Sequence, residues 1–375
     1  MAGIYLHIPF CRQACAYCNF HFTTSLRYKN EFVQALIKEI ELQKDYLEGE
    51  PLSTIYFGGG TPSLLSIEDC QHILNQVHST FAVLPEAEIT LEANPDNISK
   101  EMLDGWKSQG INRLSIGIQS FFEDDLRWMN RAHNADQAFQ CIEESQKAGF
   151  HNLNIDLIYG SPLLSDERWK QNVETANGYN IPHLSCYALT VEEKTPLHKQ
   201  IRQHKKEDVD PDKQARHFQL LMQWLKEKGY EHYEVSNFAL PGCRSRHNSS
   251  YWRGEKYLGV GPSAHSFNGN SRQWNVANNM SYIEAINKSE LANETEILTP
   301  NQQLNEYIMI SLRTLEGMDL DRLARHWGRE KAAFVEERLK PYADNGLITR
   351  KETHVSLTED GMLLADGIAA ELFFV

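Results

Sequence analysis

The chain lacks any run of the roughly 18 to 20 apolar residues that a bilayer crossing needs. Its start, Met1-Ala2-Gly3-Ile4-Tyr5, has no charged segment followed by an apolar one. A cytoplasmic protein without a transmembrane segment is the expectation. Basic residues are in deficit, 37 Lys and Arg against 51 Asp and Glu, which leaves a net charge of −14. The electrostatic footprint that binds phosphate backbones or anionic lipids is therefore missing, and no nucleic acid partner is expected. Glycine and proline, 22 and 13 of 375 residues, are too few for collagen or a low-complexity chain, and no repeat is visible. What is present, 41% hydrophobic and 23% charged residues, is ordinary globular composition, and the length predicts about two to three domains. A chain of this size buries enough core to fold without disulfide or metal staples.

Short β-rich runs at 4–8, 54–57, 88–92, 113–118, 154–158 and 184–188 alternate with helical stretches such as 31–46, 68–80 and 135–148. Six such units predict an α/β fold, a partial parallel (β/α)6 barrel over residues 1–235. Polar or glycine-rich residues follow several strands: Gly58-Gly59-Gly60-Thr61, Glu92-Ala93-Asn94-Pro95, Gln119 and Tyr159-Gly160. In β/α folds ligands bind at the carboxyl ends of parallel strands, so one site assembled from these loops is expected there. Residues 236–290, rich in Asn, Ser, Gly, Trp and His with little periodicity, read as an irregular connecting region. Residues 291–375 read as three helices and a β-hairpin, a winged-helix-like α+β domain. From residue 290 onward nine Lys and Arg face sixteen Asp and Glu, which disfavours DNA binding by this domain and a redox-sensing regulator with it.

Three of the seven cysteines fall within eight residues: Cys11, Cys15 and Cys18, in a C-x3-C-x2-C spacing directly after the first strand. Three thiolates can hold three irons of a 4Fe-4S cluster and leave the fourth iron open to an exchangeable ligand. Zinc would need a fourth ligand, for which His7 or His21 is available, because no second Cys pair exists. A c-type haem attachment requires His after the last Cys, and Asn19 stands there. The other cysteines, Cys70, Cys141, Cys186 and Cys243, are scattered.

This cysteine signature, with Tyr17 before the third Cys, resembles that of the radical S-adenosylmethionine (SAM) superfamily. Nearly the whole chain is similar to the branch containing oxygen-independent coproporphyrinogen III oxidases and HemW-type haem chaperones. The similarity is carried by Tyr5-Leu6-His7-Ile8-Pro9-Phe10-Cys11, Phe57-Gly58-Gly59-Gly60-Thr61-Pro62, Leu91-Glu92-Ala93-Asn94-Pro95, Ser115-Ile116-Gly117-Ile118-Gln119-Ser120-Phe121, Asn154-Ile155-Asp156-Leu157-Ile158-Tyr159-Gly160 and Tyr257-Leu258-Gly259-Val260-Gly261. The resemblance implies a cluster on Cys11, Cys15 and Cys18. It implies SAM contacts at Tyr5, Tyr17, Gly59, Gly60, Thr61, Glu92, Gln119, Arg131, Asp156, Ala188 and His265, the last at a position where the oxidases tend to be aliphatic. Glycines at 58 to 60 would let the backbone approach the methionine end of SAM, and Glu92 suits ribose hydroxyls. Singly, each residue also has an ordinary reading as a turn, a loop cap or a surface pair.

Two departures separate the branches. The oxidases carry a further cysteine two residues beyond the third, where Phe20 stands here, and a long arm before the cluster, whereas the first cysteine here is already at position 11. His247-Asn248-Ser249-Ser250-Tyr251-Trp252 matches the H-N-x-x-Y-W motif of the haem chaperones. The resemblance thus implies a protein that binds a 4Fe-4S cluster, SAM and haem and passes haem to an acceptor protein. His247 would be an axial ligand, with Tyr251 and Trp252 against the porphyrin face. The alternative is a coproporphyrinogen III oxidase.

Overall fold

A computed structural model describes residues 1–374. The six expected runs are strands β1 (Ala2–Ile8), β2 (Leu52–Gly59), β3 (Val83–Ala93), β4 (Arg113–Gln119), β5 (Leu153–Tyr159) and β6 (His183–Ala188). Each pairs in parallel with the next. β1 and β4 are buried on both faces, the pattern of a parallel sheet covered by crossover helices. Local chemistry starts those helices: Ser66 with Asp69, and Asn134 with Gln137, form reciprocal capping boxes at Ile67–Thr80 and Ala135–Lys147.

The stretch expected to be irregular is instead structured. β7 (Glu231–Glu234) and β8 (Asn237–Ala239) extend the sheet antiparallel beyond β6. At the opposite side β9 (Tyr257–Val260) pairs in parallel with β1, and β10 (His265–Phe267), β11 (Ser271–Asn275) and β12 (Asn293–Ile297) continue antiparallel. The result is one sheet of twelve strands. A short strand at 230–235 is legible and becomes β7, whereas β9 to β12 escaped sequence reading because they are three to five residues long, carry Ser, Asn, Gln and Gly, and are anchored through β9 on β1 at the far end of the chain. A buried carboxylate bolts them down: Glu39 accepts from Gly261 N at 2.8 Å, Asn275 Nδ2 at 2.7 Å and Tyr282 Oη at 2.5 Å. A fully bonded buried carboxylate of this kind fixes register rather than chemistry.

Three helices, Pro300–Leu312, Leu320–Trp327 and Arg329–Asp344, and the small sheet of β13 (Met318–Asp319), β14 (Ile348–Lys351) and β15 (His354–Leu357) make up the winged-helix-like part. β12 belongs to the large sheet, so this part begins near Leu298 rather than at 291. Backbone bonds from Val235 to Arg313 and from Leu315 to Tyr233 tie it to β7. One hydrophobic cluster runs from Ile4 through Leu304 and Ile308 to Leu372, so the two parts share a core. Among the described residues no helix is long and apolar enough to cross a membrane.

Candidate functional site

The cysteine loop leaves β1 and is held at both flanks. Cys11 N donates to Thr23 O at 3.0 Å, Ala16 N to Met129 O at 2.9 Å, and Leu197 N to Ala16 O at 2.7 Å. Ala16 also packs in a small apolar cluster with Leu126, Met129 and Leu197. Cys11 is buried, Cys15 and Cys18 are half-buried, and all three thiols are free. Burial pushes the Cys11 thiol up to about 11 and raises Cys18 as well, so each sulfur needs a compensating partner to ionise. One such partner sits on Cys11, and a guanidinium sits on Cys15. Thr61 Oγ1 donates to Cys11 Sγ at 3.5 Å, and Arg131 Nη1 donates to Cys15 Sγ at 3.2 Å. Arg131 is oriented by Asn94 Oδ1 at 2.8 Å and Gly117 O at 2.6 Å.

Three free sulfurs on one loop with a guanidinium beside them suit a thiolate-ligated cluster. Zinc fits less well: His7 Nε2 is 3.0 Å from His21 O, and His21 Nε2 is 2.7 Å from Asn279 Oδ1, so both candidate imidazoles are already engaged. Among the described residues, no three His, Cys, Asp or Glu side chains are grouped to hold a single metal ion.

Above the loop, the strand ends gather the other expected residues. Glu92 accepts from Tyr56 Oη at 2.8 Å and from Gly59 N at 3.1 Å, and burial pushes its carboxyl up to about 7. Asp156 accepts from Asn154 Nδ2 at 2.7 Å and is pushed up to about 6, again by burial. Burial outweighs the nearby Arg113, which draws both carboxyls down, and Arg131, which draws down Asp156. Gln119 ends β4 at φ +70° and is buried, a left-handed conformation that a non-glycine residue holds only when its surroundings require it. Thr61 and Arg131 touch the sulfurs as described. Ala188 closes β6 opposite Tyr159, and Tyr17 is half-buried on the cysteine loop.

The glycines have a different reason from the expected one. A Cβ on Gly58 would lie 2.7 Å from the Tyr5 ring, on Gly59 2.8 Å from the His7 ring, and on Gly60 2.7 Å from Phe10 O. Close packing of β1 and the cysteine loop on β2 thus demands them before any ligand does.

His247 stands apart from expectation. Its helix, Arg246–Trp252, is capped by Ser245, and Glu88 accepts from its first two amides at 3.1 Å. The ring is buried, stacked on Tyr56 at 4.8 Å, with Nδ1 2.7 Å from Thr54 Oγ1 and Nε2 2.7 Å from Tyr251 Oη. Both ring nitrogens are engaged in this structure, so His247 bolts the helix to the barrel and could ligate iron only by giving up one of these bonds.

Tyr251 and Trp252 do face open space. They border a cavity of about 780 Å³ between the cysteine loop (Asn19, Phe20, His21), the β9–β10 wall (Tyr257, His265, Phe267) and the C-terminal helices (Tyr307, Arg322, His326, Trp327). Tyr5 and His265 lie on this cavity, whereas Glu92 and Asp156 are not among its lining residues. Sequence reading also missed Arg113, fully buried inside the sheet with Nε and Nη2 unpartnered, and the C-terminal residues of the cavity. The spacing of Arg322 and His326, four apart on a helix, was the available signal.

Residues 5–176 match the Radical SAM superfamily and residues 298–364 the HemN C-terminal domain. The protein named heme chaperone HemW of Bacillus subtilis is 33% identical over 372 residues, 98% of this chain and 98% of that protein. Its namesake in Mycobacterium tuberculosis is 34% identical, covering 99% and 94%, and that of Escherichia coli is 36% identical over 267 residues, covering 70% and 69%. Among solved structures, coproporphyrinogen III oxidase (HemN) from Escherichia coli, described as a radical SAM enzyme, superposes with a TM-score of 0.85 at 25% identity, covering 99% of this chain and 90% of that one. With a cysteine loop and strand ends of this construction, and relatives above 30% identity along its full length, the chain belongs to the HemW family of the radical SAM superfamily.

Proposed function

We propose that the chain is a cytoplasmic haem chaperone, which binds a 4Fe-4S cluster, SAM and haem and delivers haem to an acceptor protein. The observation that carries this reading is the 780 Å³ cavity beside the cysteine loop, within the ~300 to 1,000 Å³ range of cofactor sites and walled by flat aromatic rings with cations at its rim. Cys11, Cys15 and Cys18 hold the cluster, and Thr61 and Arg131 stabilise the sulfurs as thiolates. Bound together, cluster and SAM supply one-electron chemistry. Glu92 takes the ribose hydroxyls. Asp156, Gln119 and Ala188 line the strand ends around the same molecule, with Tyr5, Tyr17, Gly59 and Gly60 on the loop side. Burial raises both carboxyls, and they ionise more readily beside a sulfonium and ammonium, so the cationic ligand and the carboxylates favour one another.

Anaerobic reconstitution tests the first half: iron and acid-labile sulfide should bind near four each per chain, and a colourless preparation would overturn it. Haem titration tests the second: one Soret-active haem per chain is expected. The likeness to coproporphyrinogen III oxidase favours a second reading, oxidative decarboxylation. Phe20, 68% exposed on the cavity, occupies the position of the oxidases' extra cysteine. Conversion of coproporphyrinogen III with SAM and a reductant would decide for the oxidase.

A further inference from the structure

The geometry points to His326 as the haem iron ligand and Arg322 as the propionate anchor, both on the C-terminal helix Leu320–Trp327, a role distinct from that of the H-N-x-x-Y-W motif. The inference rests on the haem-chaperone reading. Four imidazoles border the cavity: His7, His21, His265 and His326. His7 has both nitrogens engaged, Nδ1 with Tyr5 Oη at 3.2 Å and Nε2 with His21 O. His21 bonds Asn279 through Nε2, which leaves only Nδ1, crowded by its own Cβ against a flat macrocycle. His265 is exposed, as His326 is, but its ring contact with Trp274 at 6.3 Å does not orient its nitrogens.

His326 differs. Its Nδ1 lies 3.0 Å from Arg322 O, and a carbonyl only accepts, so Nδ1 carries the proton and Nε2 carries a lone pair. A backbone carbonyl that fixes the tautomer and orientation of an imidazole in this way is the arrangement that metal-ligating histidines use.

Arg322 stands one turn before His326, on the same face. Its guanidinium lies over the Tyr307 ring at 4.9 Å. Neighbouring cations are neutralised, Arg272 by Glu306 at 2.8 Å and Arg253 by Glu255 at 2.6 Å, but among the described residues no carboxylate pairs with Arg322. A planar, unpaired guanidinium suits a carboxylate of the ligand. Tyr307 and Trp327, stacked at 5.2 Å, supply the apolar floor between the two groups.

The test is haem titration of the full-length protein under anaerobic conditions, followed by the Soret band and by electron paramagnetic resonance. His326→Ala and the bulkier His326→Gln should both change the coordination signature and weaken haem binding by about tenfold or more, and added imidazole should restore the spectrum of His326→Ala. His265→Ala should keep the wild-type signature. Arg322→Gln should weaken binding of haem but not of haem dimethyl ester, which has no charged propionates. Wild-type spectra and affinity in both His326 variants would overturn the assignment while leaving the chaperone reading intact; a wild-type protein that takes up no haem would overturn both. Equal losses for haem and its dimethyl ester in Arg322→Gln would remove the anchor.

Discussion

Glu92→Gln keeps the shape of a side chain and removes its charge. In the free protein that charge is unwelcome: burial raises the folded-state pKa to about 7 from an ordinary value of 4.5. The folded state therefore holds a proton that the unfolded state has released. The stability due to this group is complete below about pH 4.5 and is lost as pH rises through 7. The urea midpoint of the cluster-free protein should fall between pH 5 and pH 7.5 more steeply in wild type than in Glu92→Gln; equal slopes would contradict the assignment. SAM affinity should move the opposite way, rising with pH in wild type, and should be about tenfold or more weaker in Glu92→Gln, since a charged hydrogen bond contributes roughly 1.5 to 3 kcal/mol. Isothermal titration reads both.

His247 gives the contrasting case. Removing a fully buried ring with two engaged nitrogens leaves a cavity and two unpaired hydroxyls, so His247→Ala should destabilise the fold by about 2 to 4 kcal/mol. Its Soret position with haem should match wild type. A shifted Soret band at unchanged stability would restore His247 as a ligand.

Among elements, the contact between β1 and β2 is the one on which the site depends. Gly59 has φ +109° and lies against the His7 ring, and its amide donates to Glu92. Gly59→Ala meets both a disfavoured backbone conformation and a clash at 2.8 Å. A loss of about 2 kcal/mol or more is expected, with poorer cluster retention because the cysteine loop begins where β1 ends. Chemical denaturation and iron content after desalting measure the two effects.

At the scale of the whole molecule, the cysteine loop walls the cavity through Asn19, Phe20 and His21, while the proposed cluster ligands and haem ligands are different residues. Changing Cys11, Cys15 and Cys18 together to Ser should abolish iron and sulfide uptake while the chain still folds, because the shared core lies elsewhere. Haem affinity in that variant should stay within about threefold of wild type, under ~1 kcal/mol. A complete loss of haem binding would mean that the two sites are one.

The residue order alone determined the parallel strands, since buried runs alternate with capped helices. It also determined the cysteine loop and the carboxylates at the strand ends, because those depend on local spacing. The C-terminal hairpin and its three helices were legible for the same reason. Tertiary structure decided whatever depends on partners far apart in the chain. β9 to β12 are too short and polar to announce themselves and become strands only against β1. The glycines at 58 to 60, which read as ligand contacts, answer first to the rings packed on them. His247 reads as a free ligand in the sequence, but in the folded chain Thr54 and Tyr251 reach both of its nitrogens. Arg322 and His326 looked ordinary until the fold set their helix across a cavity from the cysteine loop. Spacing along a chain specifies which groups can act together; the direction each one faces is set by packing.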